Sequence, residues 1–225
     1  MSQIDIIIPV YNAQRTLKRC LESIFNQTFS DYKIIAVNDG STDNSLKILE
    51  NYRSQITIIN QANHGAAHAR NQGAKIASAP FIIFIDADII AQPMMLEKMY
   101  QALQKHPEVS YAYSSFKFGF KTFKLWPFDA EKLKQTPYIH TSSLIRAKDF
   151  PGFDEKLRRF QDWDLWLRMN NHGHPGYFID QVLFKVISGG TMSSWLPKFA
   201  YRLNFLNQTK KYQAAKEIII KKHNL

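Results

Sequence analysis

The chain has 225 residues, of which 45% are hydrophobic and 13% aromatic, and its formal net charge is +10. This size and composition indicate one folded α/β domain rather than two domains or a disordered chain. The single cysteine, Cys20, excludes an internal disulfide and is typical of a reducing compartment. Neither a secretory signal nor a run of roughly 20 apolar residues is visible, so we predict a cytoplasmic protein without a membrane-spanning helix.

Strands and helices are predicted to alternate through the N-terminal half of the chain. Ile4 to Val10 is almost entirely apolar and largely β-branched, as expected for a buried parallel strand. Such alternation predicts an α/β fold, a mostly parallel sheet with helices on both faces and a ligand site beyond the carboxyl ends of the strands. Further strands are predicted at Lys33 to Asn38, Ile56 to Ile59 and Phe81 to Ile85, with helices at Leu17 to Phe25, Leu46 to Tyr52, Gly65 to Ala77 and Met94 to Lys105.

The pattern changes after Val109. Val109 to Phe123 is rich in aromatic residues with some two-residue alternation, which predicts a small mixed region. We predict that residues 1–195 form one domain and that residues 196–225 form a basic helical extension. The further predicted elements are strands at Tyr138 to Ile145 and Gly176 to Phe184, and helices at Trp163 to Asn171, Lys198 to Asn207 and Tyr212 to Lys222.

Two carboxylates follow the predicted strand Phe81 to Ile85 in the sequence Asp86-Ala87-Asp88. Residues two apart on a strand point the same way, so both carboxylates are expected to project together. A divalent cation would relieve the repulsion between them, and oxygen ligands suit Mg²⁺ or Mn²⁺. Two solvated acids at the start of a loop are the simpler interpretation of the same three residues.

Two further loops fall at the same predicted sheet edge. Asp39-Gly40 ends the second strand, where it forms either a turn and helix cap or an acceptor for a base N–H. Arg70 lies in a helix opened by Gly65, and its guanidinium suits a phosphate, a carboxylate or an exposed salt bridge. Asp162 precedes a helix with a packed Trp163 face, where an acid also interacts favourably with the helix dipole.

Together these segments resemble the inverting family-2 glycosyltransferases with the GT-A fold, of the bacterial polysaccharide and lipopolysaccharide type. The matching motifs occur in the order typical of that family, and the ordered set is more specific than any one motif. The motifs are Ile7 to Asn12, Val37 to Asp43, Asn63 to Gly65, Ala69 to Gly73, Phe84 to Asp88, and Gly152 to Asp154 leading into Asp162 to Arg168.

The resemblance implies a hexosyltransferase that uses a nucleotide-sugar donor, with a UDP-sugar favoured, and a saccharide or lipid-linked acceptor. Asp162 would be the base that deprotonates the acceptor hydroxyl, and Asp88 would hold Mn²⁺ or Mg²⁺ on the diphosphate. The residues implied to bind the donor are Pro9, Tyr11, Asn12, Asp39, Gly65, Arg70, Asp86, Ala87 and Asp88.

Two positions depart from the family pattern. Ser188 stands where members often carry a metal-binding histidine, and Gln161 stands where a glutamate often precedes the base. The loss of the histidine motivates an alternative function, a non-catalytic nucleotide-sugar or glycan-binding protein of the same fold. The acidic residues Asp39, Asp86 and Asp162 are all present, which favours an enzyme.

The basic charge is concentrated near the C-terminus, where residues 195–225 contain seven lysines and arginines and one acid. In the predicted helix Tyr212 to Lys222, Ala215, Ile218 and Ile219 share one side with lysines around it. Such a helix fits either peripheral attachment to an anionic membrane surface, on its cytoplasmic side, or packing against the domain. No motif for nucleic-acid binding accompanies the charge, so we predict no nucleic-acid partner.

Overall fold

The structure is a computed structural model that describes residues 2–187 and 207–225. Within these ranges the chain forms one sheet flanked by helices. The strands are β1 (Ile4–Val10), β2 (Tyr32–Asp39), β3 (Thr57–Gln61), β4 (Phe81–Phe84), β5 (Ile89–Ala91), β6 (Tyr111–Phe118), β7 (Lys121–Phe123), β8 (Leu144–Arg146) and β9 (Gly176–Val186). The helices are α1 (Leu17–Phe25), α2 (Ser45–Glu50), α3 (Ala66–Ile76), α4 (Met95–Lys105), α5 (Ala130–Gln135), α6 (Gln161–Asn171) and α7 (Asn207–His223).

The sheet consists of a parallel half and a mixed half. Its strand order is β3-β2-β1-β4-β8-β6-β9-β5, with β7 beside β6. The first four strands of that order pair in parallel, whereas β8 is antiparallel to both β4 and β6. In the mixed half β6 and β9 run parallel, and β5 and β7 pair antiparallel with β9 and β6. The predicted α/β fold, with a mostly parallel sheet and a small mixed region, is confirmed.

Apolar side chains fill two cores, one on each face of the sheet. Along β1, Ile6 and Ile8 belong to one core and Ile7 to the other, because successive side chains point to opposite faces. Helices α1, α2 and α4 cover the first core, and α3, α5, α6 and α7 cover the second. Cys20 lies in the first core, where burial raises the pKa of its thiol, as expected for an unreactive cysteine.

The segment 138–145 was predicted as a strand, and this prediction is wrong for most of its length. Only β8 is a strand there, and residues 138–143 form a loop. In that loop the backbone N–H of Ser142 donates to the Nδ1 atom of His140, and the Ser143 hydroxyl donates to the His140 carbonyl. These local hydrogen bonds compete with a strand ladder. Strand β5 and helix α5 were not predicted.

Helix α7 packs against the domain through its apolar side and its last turn. Ile219 is fully buried in the second core, whereas Ile218 is 53% exposed. Lys222 and His223 approach the buried carboxylate of Asp164 to 2.6 Å and 2.8 Å. Part of the predicted basic extension is therefore packed structure. The predicted domain boundary at residues 195 and 196 and the predicted helix at residues 198–207 fall, apart from residue 207, outside the described residues.

Candidate active site

A cavity of about 770 Å³ opens at the carboxyl ends of the parallel strands. Its walls come from the loops after β1, β2, β3 and β4, from the start of α6 and from the mixed half of the sheet. All of the site residues predicted from the sequence line this one cavity. They are Pro9, Tyr11, Asn12, Asp39, Gly65, Arg70, Asp86, Ala87, Asp88 and Asp162.

The loops after β1 and β2 are joined by hydrogen bonds around Asn12. The Asn12 side-chain oxygen accepts from the Thr42 backbone N–H at 2.8 Å, and the Asn12 backbone N–H donates to the Ser41 hydroxyl at 3.1 Å. Asn12 has a φ of 48°, in the left-handed region that asparagine tolerates. This connection holds the neighbouring Tyr11, which is 42% exposed, at the cavity wall.

Asp39 fixes the loop that enters α3. Its Oδ2 atom accepts from the Gly65 N–H at 2.8 Å, and its Oδ1 atom accepts from the His64 N–H at 2.9 Å and from Gln61 at 2.8 Å. Gly65 has a φ of 95°, which a residue with a side chain rarely adopts. A carboxylate offers about four acceptor positions, so a ligand N–H still has one available. The loop-fixing role is visible, and nucleotide binding by Asp39 stays a prediction.

Arg70 bridges the two acidic motifs. One terminal nitrogen donates to Asp86 at 2.7 Å, and the other donates to the side chain of Gln161 at 2.9 Å. The guanidinium also lies over the Phe153 ring, 5.2 Å from its centre. Gln161 therefore accepts from Arg70 with its amide oxygen, which explains how glutamine serves at this position. Within the described ranges, the buried Nε atom of Arg70 has no hydrogen-bond partner.

Asp86 and Asp88 lie in the turn after β4 and have opposite electrostatic environments. Burial opposes ionisation of Asp86, but Arg70 and His140 outweigh it and hold the pKa of that carboxyl below its usual range. Burial, and then the charge of Asp86, raise the pKa of Asp88 to about 7. Arg70 already neutralises Asp86. The case for a cation therefore depends on Asp88.

Asp162 lies in the first turn of α6 with its carboxylate in the cavity. Its Oδ1 atom accepts from the backbone N–H of Trp163 at 2.9 Å. Phe160, just before the helix, has a φ of 57°, and its ring packs at 5.0 Å against Tyr212 of α7. Asp162 thus lies between two contacts to α7, since Asp164 pairs with the end of the same helix.

Burial raises the pKa of Asp162 above its usual range, although His140 and Arg70 favour its ionised form. A carboxylate with a raised pKa is a stronger base when ionised, which suits proton abstraction near neutral pH. His140 lines the same cavity, and burial lowers its pKa despite the charges of Asp86 and Asp162. In the neutral ring Nδ1 accepts from Ser142, so Nε2 carries the proton.

The mixed half of the sheet contributes an aromatic wall that the sequence motifs did not reveal. Phe116, Phe118 and Phe123 line the cavity opposite the parallel strands. The Phe116 ring stacks on Phe123 at 5.0 Å and contacts His140 at 5.2 Å. The aromatic alternation in residues 109–123 was the available signal for this wall. No comparable signal identified His140, because a single histidine in a loop has no periodicity.

Comparison with known proteins agrees with this geometry. Solved structures of GT-A glycosyltransferases superimpose on the chain, so its fold is the GT-A fold. The model of the family described as glycosyl transferase family 2 matches residues 5–169. The chain belongs to glycosyltransferase family 2.

One curated relative and two solved structures illustrate how similar the chain is to individual proteins. EpsE of Bacillus subtilis is 29% identical over 201 residues, which cover 82% of this chain and 72% of EpsE. Staphylococcus aureus TarS in complex with UDP-GlcNAc has a TM-score of 0.72 at 20% identity, covering 90% of this chain and 64% of that one. The Pyrobaculum calidifontis mannosyltransferase PcManGT, in complex with GDP-Man and Mn²⁺, has a TM-score of 0.67 at 16% identity over 86% of this chain. The chain spans less than two thirds of both solved chains.

Two further predictions concern the metal site and attachment to a membrane. Ser188, at the position of the missing histidine, falls outside the described residues. Among the residues that the structure describes, none of the helices combines the length and apolarity needed to cross a bilayer. Peripheral attachment through the C-terminal region stays a prediction.

Proposed function

We propose that the chain moves a sugar from a UDP-sugar to the hydroxyl of a saccharide or lipid-linked acceptor, with inversion at the anomeric carbon. The observation that carries this proposal is the joint position of Asp88 and Asp162 in one cavity, linked through Asp86, Arg70 and Gln161. The nucleotide complexes of the structural neighbours support a nucleotide-sugar donor. The cavity walls next to β1, β2 and β4 are called the donor side, and the wall of Phe116, Phe118, Phe123 and His140 the acceptor side.

The donor side fits a divalent cation held together with a diphosphate. Among the described residues there is no cluster of three or more acidic, histidine or cysteine side chains that could form a protein-only metal site. Mg²⁺ is usually held by one or two carboxylates together with substrate phosphates, which Asp88 beside a bound diphosphate would provide. Bound there, Mn²⁺ or Mg²⁺ would stabilise the charge that develops on the leaving diphosphate.

Asp162 is the proposed base. One of its oxygens is held by the Trp163 N–H, which leaves the other for the proton of the acceptor hydroxyl. As that proton moves to Asp162, the hydroxyl oxygen bonds to the anomeric carbon and the bond from that carbon to the diphosphate breaks. A positioned base contributes roughly a hundredfold or more to such a step. The single displacement inverts the anomeric configuration.

The experiment begins with a panel of nucleotide sugars, scored by the rise in melting temperature of the protein, because ligands that bind the native state stabilise it. Transfer and donor hydrolysis are then measured with Mn²⁺ for wild type, Asp162→Asn and the control Asp180→Asn. Asp180 is exposed and lies outside the cavity lining. Asp162→Asn should lose transfer by about a hundredfold or more while UDP affinity persists. Undiminished transfer in Asp162→Asn would overturn the assignment of the base.

The non-catalytic alternative gives a different result in the same experiment. A nucleotide-sugar-binding protein would be stabilised by a donor but would neither transfer nor hydrolyse it in wild type.

We also propose, from the resemblance, a role in cell-envelope polysaccharide synthesis on the cytoplasmic side of the membrane. Exposed lysines of α7, such as Lys210, Lys211 and Lys221, are the part of the tail that remains open to an anionic surface.

A further inference from the structure

Strands β6 and β7 form an aromatic and basic hairpin at the rim of the cavity. The aromatic hairpin is defined as residues 116–124, Phe-Lys-Phe-Gly-Phe-Lys-Thr-Phe-Lys. These nine residues include four phenylalanines, three lysines and no acid. Gly119, with a φ of 56°, forms the turn, and the following Phe120 is 105% exposed. The tip of the turn thus presents a complete aromatic ring that contributes nothing to either core.

The two faces of the aromatic hairpin differ. Phe116 pairs with Phe123 across the strands and both line the cavity, so this face belongs to the acceptor side. Lys117 pairs with Thr122 on the opposite face, because side chains alternate along each strand. The neighbouring strand β9 adds Lys185, whose ammonium lies 6.0 Å from the centre of the Phe120 ring. The outer face and tip therefore combine the exposed Lys117 and the half-buried Lys185 with the exposed Phe120 ring. Lys121 is exposed as well and pairs with Phe118 on the cavity face.

We propose that the aromatic hairpin docks on an anionic lipid bilayer, with Phe120 in the headgroup region and the lysines on anionic headgroups. Aromatic side chains and lysines together are typical of elements that lie in the membrane interface. The absence of acids in the hairpin gives its charge one sign, which complements an anionic surface. This inference rests on the proposed function for its consequence: the acceptor side of the cavity would face the membrane, and the acceptor would be lipid-linked.

The aromatic hairpin is better suited to this contact than α7. On α7 the central apolar residue Ile219 is buried in the second core, and Lys222 is paired with Asp164. The corresponding groups of the hairpin, Phe120 and Lys117, are exposed. Both segments carry lysines, so charge alone does not separate them. Variants of the hairpin and of α7 that lose the same number of positive charges distinguish the two segments.

Co-sedimentation with vesicles of phosphatidylcholine, with and without phosphatidylglycerol, tests the proposal at low and high salt. Wild type should bind only the anionic vesicles, and salt should weaken the binding. The triple variant Lys117→Gln, Lys121→Gln, Lys124→Gln should lower the partition coefficient about a hundredfold, since each lysine contributes comparably at an anionic surface. Phe120→Ser should lower it about tenfold, and Phe120→Trp should retain it.

The matched control is Lys210→Gln, Lys211→Gln, Lys221→Gln, which removes the same charge from exposed positions of α7. It should weaken vesicle binding less than the triple variant of the hairpin does. Equal losses in the two triple variants would overturn the proposal, because binding would then follow net charge alone. Absence of wild-type binding would overturn it as well. If the hairpin instead contacted a second copy of the chain, Phe120→Ser and wild type would sediment differently in the absence of vesicles. That result would overturn the proposal.

Failure of the docking proposal can be told apart from failure of the proposed function. Asp162→Asn should sediment with anionic vesicles as wild type does, whatever its transfer activity. The hairpin variants should keep their affinity for UDP with Mn²⁺, because none of the substituted residues lines the cavity. These residues are Lys117, Phe120, Lys121 and Lys124. Vesicle binding without any transfer by wild type would contradict the proposed enzyme function and support the docking proposal.

Discussion

The donor side and the acceptor side of the cavity are built on different principles. On the donor side, charged groups are held by specific polar contacts, as Asp39 is by backbone N–H groups and Asp86 is by Arg70. On the acceptor side, rings stack on one another, as Phe116 does on Phe123 and Phe184. A polar contact requires particular residue types at particular positions, whereas an aromatic wall accepts many sequences. This difference explains why motifs exist for one side only.

The largest effect is expected from Arg70→Met, because Arg70 joins the donor side to Gln161, which precedes the proposed base Asp162. The change leaves Asp86 without its cation in a partly buried site, where breaking such a pair costs about 3 kcal/mol or more. Transfer should fall by roughly a hundredfold or more, and UDP affinity should fall with it. Denaturant unfolding, UDP titration and transfer rates measure these effects. Arg70→Lys should recover part of the lost stability. A loss of transfer without a loss of UDP affinity, or the reverse, would contradict the bridging role of Arg70.

Asp88→Ala should affect the donor side alone. It removes the carboxylate assigned to the cation, so UDP affinity in Mn²⁺ should fall by about tenfold to a hundredfold toward the metal-free value. Calorimetric titration of UDP with and without Mn²⁺ measures the change. Asp180→Asn, an exposed carboxylate outside the cavity, is the control. Unchanged affinity in Mn²⁺ would show that Asp88 is not the ligand.

Phe118→Ala should affect the acceptor side alone. Phe118 lines the cavity and is partly exposed, so its removal takes apolar contact area from a ligand more than from the cores. The KM for a soluble acceptor should rise by about tenfold, consistent with the loss of one large apolar contact. UDP affinity should stay at the wild-type value, and Phe118→Leu should lie between. An equal loss of UDP affinity would show that the two sides are one binding surface.

The smallest effect is a gain in stability for Asp88→Asn. The folded pKa of Asp88, about 7, lies above its ordinary value of 3.8, so the folded state holds a proton that the unfolded state releases. Wild type therefore loses stability as pH rises from about 4 to 7. The asparagine variant lacks this loss and should be more stable by about 1 kcal/mol above pH 7, after allowing for solvent in the cavity. Urea unfolding at pH 5 and pH 8 should show the gap widening.

Much of the fold followed from the sequence. The apolar run of β1 and the helical spacing of α1 each match an element of the structure. A short apolar pattern predicted a strand where local hydrogen bonds instead form a loop, as at Ser142 and Ser143. The short strand β5 has three residues, too few for a periodic signal.

The sequence indicated which residues lie at the candidate site better than it indicated their electrostatic environments. The sequence placed Asp86 and Asp88 together, and both line the cavity. It could not reveal that Arg70, 16 residues away from Asp86, neutralises only one of them. Such a pairing depends on where α3 lies against the sheet. The same limit applies to α7, where Ile218 and Ile219 are adjacent in sequence but differ in burial.

The pairing of Asp164 has a consequence for the order in which the chain matures during synthesis. His223, which contacts the Asp164 carboxylate beside Lys222, follows it by 59 residues. Chains fold from the N-terminus as they emerge, so α6 is made well before α7. Until α7 arrives, Arg168 is the one cation within the same helix that reaches Asp164. The turn that carries Asp162 therefore gains its final support late, and in a nascent chain the Asp162 carboxylate would be held in position only after α7 has docked.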